Sequence, residues 1–159
     1  MQILFVCTGN TCRSPMAEAM FRAHTPNPDW QATSAGIATW DGLMASVLAC
    51  DEMAARGLSL DYHRSRQINQ EIMTASDLIL TMTRQQKKVL AASYPDFADK
   101  IFLLGEYVGQ IEEVTDPYGG SADDYLDTAN QLVKLLEALF TKLEGITSES
   151  PETTTDEPS

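Results

Sequence analysis

Cys7 and Arg13 form the pattern C-x5-R, and Ser14 follows directly. A thiol attacks well only as thiolate, and a helix N-terminus, inward backbone amides and a nearby arginine all stabilise that form. The planar fork of an arginine grips two phosphoryl oxygens together, which a lysine cannot copy. A serine hydroxyl beside the sulfur can donate to it. These residue types point to attack of sulfur on phosphorus, giving a cysteinyl-phosphate that water then cleaves. Catalysis of that kind is mostly positioning and charge stabilisation. The spacing alone is a weak signal; its setting is the specific part. Residues 3–6 are a continuous apolar run, which reads as a strand buried on both faces. Residues 16–22 follow a helix pattern, with Ser14 suited to the N-cap and Pro15 to the first helical position. Between strand and helix, Gly9 and Asn10 tolerate positive φ. Such a loop turns its N–H groups inward and makes an anion cradle at the helix N-terminus.

Transfer to Cys7 needs a proton for the leaving group. Asp116 precedes Pro117, which disfavours helix and stiffens the chain. A carboxyl group there could act first as acid and then as base toward water. Read alone, Asp-Pro is more often a simple turn. Gly119 and Gly120 let that loop approach a substrate closely, and Glu112, Glu113, Asp123, Asp124 and Asp127 read as a solvated acidic rim. Cys50 falls within a helical stretch and reads as core. His24 and His63 have no metal-ligand spacing with the cysteines, so no metal and no cofactor are expected. Trp40 reads either as a wall of the substrate cleft or as cover for the core, and Trp30 as packing.

Residues 6–18 (V-C-T-G-N-T-C-R-S-P-M-A-E) and 116–120 (D-P-Y-G-G) resemble the low-molecular-weight protein phosphatases. Weaker matches lie at 34–36, 63–66 and 77–82, and the resemblance extends from residue 1 to about 143. It implies one small α/β domain: a four-stranded parallel sheet in flavodoxin-like order, doubly wound with helices on both faces, and a phosphate-binding loop after strand 1. It implies Cys7 as nucleophile, Arg13 as phosphate ligand and Asp116 as general acid. Thr8, Gly9, Asn10, Thr11, Cys12 and Ser14 of the loop, with Tyr118, form the expected substrate-binding set. Phosphorylated proteins are the implied partners. The resemblance also supports Cys12 as a resolving thiol for Cys7, against the plainer reading of a small packing residue, and it suggests Asn10 as the partner of His63.

Two positions bear on the substrate. The tyrosine-specific branch of the family typically carries a bulky aliphatic where this chain has Thr11, and commonly two aromatics after Asp-Pro where this chain has Tyr118 and then glycines. Burying a planar guanidinium against an Ile methyl would leave N–H donors unpaired, at about 1–3 kcal/mol each. Thr11 and Asp116 can pair some of them. Both positions resemble the bacterial protein-arginine phosphatase branch. Phosphoarginine is therefore the expected substrate, with phosphotyrosine as the alternative. An arsenate reductase would need further cysteines to pass a disulfide outward, and only Cys50 lies beyond the loop. An inactive phosphate-binding module is disfavoured by the presence together of Cys7, Arg13, Ser14 and Asp116. A P-loop nucleotide enzyme would need G-x4-G-K, which is absent.

The 159 residues suit one domain with a real core. A net charge of −12 argues against a nucleic-acid binder. The first apolar run is too short and too poor in basic residues for a signal peptide, and no segment is long enough to span a membrane. Three cysteines make no secreted disulfide framework, so a reduced cytoplasmic setting is expected. A short strand is expected at 31–34, a continuous apolar one at 77–82 and the last at 101–104, and helices at 43–56, 84–94 and 125–143, the last closed by Gly145. The expected face of the 43–56 helix is Leu43, Val47, Leu48, Met53 and Ala54; that of the last helix begins at Leu126. Alternating strands and helices argue for a parallel sheet that binds ligands beyond the carboxyl ends of its strands. The domain is read as residues 1–146, and the Ser/Thr/Glu/Pro-rich 147–159 as a disordered acidic tail. Arg84, Lys87 and Lys88 read as a solvated basic face.

Overall fold

The computed structural model describes residues 1–148. The acidic residues 149–159 of the expected tail lie outside the described part. The elements run β1 (Gln2–Cys7), α1 (Arg13–His24), β2 (Gln31–Gly36), α2 (Val47–Ala55), α3 (Gln70–Ala75), β3 (Leu78–Thr81), α4 (Arg84–Ser93), a 3-10 turn (Pro95–Lys100), β4 (Ile101–Leu103), α5 (Leu104–Tyr107) and α6 (Ala122–Ser148). The four strands are parallel in the order β2-β1-β3-β4. This is the flavodoxin-like arrangement, and the order reverses at β1. The crevice there is where open α/β sheets bind ligands.

The alternation of β1 sorts the core into two layers. Ile3 and Phe5 face Met16, Met20 and Phe21 of α1, with Met53 of α2 and Leu132 and Leu136 of α6 in the same cluster. Leu4 and Val6 face the other way, in a cluster with Met73 of α3, Leu90 of α4 and Ile101 of β4. Both faces of β1 are therefore dry, which is why its sequence is apolar without interruption.

Several local expectations change in the folded chain. Helix α1 begins at Arg13 with Cys12 as N-cap, and Ser14 does not cap it. The Ser14 hydroxyl is engaged instead with Cys7 and Asn10. Of the two loop residues suited to positive φ, only Asn10 adopts it, at 55°. Helix α2 starts at Val47 and not at 43. Tertiary bonds occupy the backbone before it: Leu43 O accepts from Ser65 N, Leu43 N donates to Ser65 Oγ, and Ser46 N donates to Thr11 O. Ser46 then caps the helix by accepting from Ala49 N. The buried face is Ala49 and Met53, while Val47 is 74% exposed. In α6 the buried residue at the start is Tyr125, not Leu126. Gly145 does not end α6, which continues to Ser148 and past the expected boundary at 146. A glycine stops a helix when its backbone turns left-handed, and Gly145 is not among the positive-φ glycines. The short α3, α5 and the 3-10 turn were too brief to be legible as periodic patterns. No described helix is long and apolar enough to cross a membrane.

Candidate active site

Residues 8–12 turn from the carboxyl end of β1 into α1. Cys7 closes the strand and its Sγ faces the loop. Ser14 Oγ lies 2.9 Å from that sulfur, and Asn10 N donates to it at 3.3 Å. Asn10 Nδ2 donates to Ser14 Oγ at 2.8 Å, so the hydroxyl is held with its own proton directed to the sulfur.

The shape of the loop depends on residues outside it. Asn10 is fully buried and left-handed. Its carbonyl lies 2.7 Å from His63 Nε2, and its Oδ1 accepts from Arg66 N at 2.9 Å. With the carbonyl as acceptor, His63 must carry its proton on Nε2. Ala38 N and Ile37 N donate to Thr8 O and Cys7 O. Gly36 lies so close that a Cβ there would stand 2.8 Å from Thr8 O and 3.1 Å from Asn10 Cβ. That close approach is the physical reason for a glycine at position 36. Gln86 Nε2 donates to the Thr8 hydroxyl at 3.1 Å.

Arg13 is buried in the first turn of α1. Its Nη1 donates to Val114 O at 3.1 Å, and its Nη2 stands 3.5 Å from Asp116 Oδ2. The 114–118 segment is fixed at several points. Val114 N donates to Met82 O beyond β3. Thr115 N donates to Gln131 Oε1, and Thr128 Oγ1 donates to Thr115 O, both from α6. Tyr118 N donates to Asp116 Oδ1, which leaves Oδ2 toward Arg13. Residues more than 100 apart in sequence thus meet at one cleft.

That cleft has a volume of about 320 Å³. Cys7, Thr8, Gly9, Thr11, Cys12 and Arg13 line its floor, and Trp40, Leu43, Asp116 and Tyr118 its walls. Every residue of the expected site lines it except Asn10 and Ser14, which lie beneath the floor. Trp40 is 81% exposed and belongs to the cleft, not the core. Trp30 is buried.

The Cys12 thiol is engaged behind the floor, donating to Ser46 Oγ at 3.4 Å and lying 3.3 Å from Tyr125 Oη. Ser46 Oγ in turn donates to Tyr125 Oη at 3.2 Å. Burial first, then the Cys12 contact, pushes the Tyr125 phenol up to about 12, so it stays neutral in this network. Ser46, Tyr125, Gln86 and Gly36 were not singled out from the sequence as site residues. Thr83-x-x-Gln86 could have been noticed as a capping box, but its second duty toward Thr8 is purely tertiary. Cys50 is half-buried in α2, and burial with nearby Asp61 and Asp51 pushes its thiol up, a poor position for a disulfide relay. Arg84 and Lys87 pair with Glu106, and Arg84 also with Glu113, so that face is a network of exchanged charges. Among the described residues no cluster of His, Cys, Asp or Glu is placed to hold a metal ion.

The chain is similar to proteins of known activity along almost its whole length. It is 40% identical over 146 residues to the protein-arginine-phosphatase of Bacillus subtilis strain 168, covering 90% of this chain and 97% of that one. It is 40% identical over 141 residues to the low molecular weight protein-tyrosine-phosphatase PtpB of Staphylococcus haemolyticus, covering 89% and 99%. Among solved structures, the YwlE arginine phosphatase, captured as a mutant with a phosphorylated active-site serine, superposes with a TM-score of 0.87 at 39% identity, over 91% of this chain and 96% of that one. The profile described as low molecular weight phosphotyrosine protein phosphatase matches residues 2–148, from β1 through α6. With that match extending over all the elements that build the cleft, the chain belongs to the low molecular weight phosphotyrosine protein phosphatase family.

Proposed function

We propose that this protein phosphatase hydrolyses phosphoarginine residues of proteins, with Cys7 as nucleophile, Arg13 as phosphate ligand and Asp116 as general acid and base. The observation that carries the reaction is the meeting of Cys7 Sγ, Ser14 Oγ, the Arg13 fork and the Asp116 carboxyl around one cleft. The Cys7 thiolate attacks phosphorus, and the P–N bond breaks with its electron pair going to the guanidine nitrogen. Asp116 gives that nitrogen its proton. The Asp116 carboxylate then takes a proton from water as the water's oxygen attacks phosphorus. The S–P bond breaks, Cys7 returns as thiolate, and inorganic phosphate leaves. The loop amides, Arg13 and the first turn of α1 balance the charge of the phosphoryl oxygens.

Thr11 on the cleft floor supports the choice of substrate. Its hydroxyl and Asp116 offer polar partners to a guanidinium where an aliphatic side chain would offer none. Relatives named as arginine phosphatases point the same way. Phosphotyrosine is the second reading, favoured by the exposed rings of Trp40 and Tyr118 on the walls and by the tyrosine-phosphatase relatives. The test is the ratio of kcat/KM on phosphoarginine and phosphotyrosine peptides for wild type and Thr11→Ile in one reducing buffer. Wild type is expected to prefer phosphoarginine. Thr11→Ile is expected to shift the ratio roughly ten- to a hundredfold toward phosphotyrosine, the weight of one unpaired donor. A wild-type preference for phosphotyrosine overturns the substrate and leaves the Cys7 chemistry standing.

The same reading assigns the chemistry to one domain, residues 1–146 extended by the end of α6, in a reduced cytoplasmic compartment that suits three free thiols. It also takes Cys12 as the resolving thiol. A peroxide oxidises Cys7 to the sulfenic acid, and Cys12 displaces water from it to form a disulfide that spares Cys7 from further oxidation.

A further inference from the structure

A second polar cavity lies at the free edge of β2, between α1 and the 62–66 segment. It measures about 320 Å³ and shares no lining residue with the catalytic cleft. Its groups include Ser34, Glu18, Arg22, Tyr62, Arg64 and Arg66. The acid in it is already engaged: Glu18 pairs with Arg22 at 3.7 Å and accepts from the Tyr62 hydroxyl at 3.3 Å. Arg22 also donates to Ala32 O. Arg64 and Arg66 are different. The chain has six arginines, and among the described residues four of them, Arg13, Arg22, Arg56 and Arg84, have a carboxylate within ion-pair distance. Arg64 and Arg66 have none, in a protein that carries 23 acidic residues against 11 basic ones. Arg64 donates from Nη1 to the carbonyls of Asp61 and His63, and Arg66 from Nε to Ser34 O. Among the described residues, Arg64 Nη2 and both terminal nitrogens of Arg66 have no partner.

Ser34 is the second, independent observation. It is 3% exposed, and its Oγ is the buried side-chain polar atom without a hydrogen-bond partner among the described residues. Leaving a buried hydroxyl unpaired is destabilising, and such an atom beside a cavity marks a place where a ligand can complete the bonding. A hydroxyl and two arginine forks are the donor set that phosphate oxygens take.

We propose that this cavity is a second anion site, in which Ser34, Arg64 and Arg66 bind a phosphate group apart from the catalytic loop. The group is either free phosphate or a phosphoryl group on an organic carrier; both present the same tetrahedral oxygens. The 63–66 segment also holds the catalytic loop through Asn10. A test must therefore separate binding at the cavity from a signal carried over from the loop.

The experiment is a titration of the nitrogen-15-labelled full chain with inorganic phosphate at constant ionic strength. The amide of Ser34 and the Nε–H groups of Arg64 and Arg66 report on the cavity, and the amides of Gly9 and Asn10 on the loop. A saturable shift is expected at both places. Arg64→Gln with Arg66→Gln is expected to weaken the Ser34 midpoint by at least about tenfold and to leave the loop midpoint within about twofold, because Arg66 holds Asn10 through its backbone N–H, which the substitution keeps. Ser34→Ala, followed at the Arg64 Nε–H, provides a reading that leaves both arginines in place and is expected to weaken the midpoint by about fivefold. A methylphosphonate arm separates the sources. A midpoint equal to or tighter than that of phosphate assigns a phosphoryl group on a carrier, and a weaker one assigns free phosphate. No saturable shift at Ser34, or one that keeps the loop's midpoint in the Arg64→Gln, Arg66→Gln chain, overturns the site.

Discussion

Asp116 is held by two contacts with different consequences. Its Oδ1 accepts from Tyr118 N, which fixes the carboxyl in the turn, and its Oδ2 faces the Arg13 guanidinium. In the proposed reaction a phosphoryl group in the cradle competes for the same guanidinium, which frees Oδ2 to serve the leaving group. Removing the acid should therefore matter in proportion to how badly the leaving group needs a proton. Asp116→Asn is expected to lower kcat/KM on a phosphoarginine peptide, which reports transfer to Cys7 and not the later hydrolysis common to all substrates, by about 10²–10⁴. On 4-nitrophenyl phosphate, whose phenol leaves as an anion, the loss should be much smaller. Equal losses on the two substrates would remove Asp116 from the acid's role. Cys7 and Arg13 could be picked out in the sequence because few other residue types suit the proposed chemistry, whereas Asp116, alone no more than an Asp-Pro turn, stood out through the family resemblance. Of the two roles the sequence offers Ser14, helix cap and donor to the thiolate, the structure realises only the second. Its hydroxyl has one proton, and the cysteine at the end of β1 takes it.

At the level of elements, α4 links stability to the site. Thr83 and Gln86 form a capping box: Thr83 Oγ1 accepts from Gln86 N, and Gln86 Oε1 accepts from Thr83 N and Met82 N. The same Gln86 amide reaches the Thr8 hydroxyl in the catalytic loop. Gln86→Ala should cost about 1 kcal/mol of stability through the lost cap, measured as a fall in Tm. It should also raise KM roughly fivefold, the weight of one neutral hydrogen bond of about 1 kcal/mol, with kcat nearly unchanged. A lower Tm with KM unaltered would show that Thr8 keeps its place without Gln86. The long elements were legible because a 3.6-residue period repeats over several turns in α4 and α6. Helix α2 was read too early by four residues: 43–46 has helical spacing, but its backbone bonds to Ser65 and Thr11. Propensity was outweighed by tertiary hydrogen bonds, which is the usual way such readings fail.

The whole molecule carries a net charge of −12 around a cleft whose floor holds Arg13. A field of that sign attracts cationic partners at a distance, while in the proposed reaction the local arginine and loop amides receive the phosphoryl group. Raising the salt from low to about 0.5 M should therefore raise KM for a phosphopeptide with lysines flanking the modified residue, and lower it for one flanked by glutamates. The kcat values should stay together. Initial rates on the two peptides across a salt series check this, and parallel KM curves would show that the field does not steer substrate.

By itself the sequence pointed to the proposed reaction centre and to the class of fold. The strand–loop–helix at residues 3–22 is local, so its chemistry and its geometry are written in consecutive residues. The apolar run of β1 likewise announced a strand dry on both faces. The tertiary structure alone decided which distant groups hold that centre. Gly36, the 63–66 segment and Gln86 reach the loop from three other parts of the chain, and of these contacts only that of His63 with Asn10 was expected, through the family resemblance. It also decided that Ser34 and two uncompensated arginines share a cavity, because only the sheet edge brings residues about thirty apart to one place. Local sequence sets what a side chain can do; the packing of β2, α1 and α4 around β1 sets what it meets.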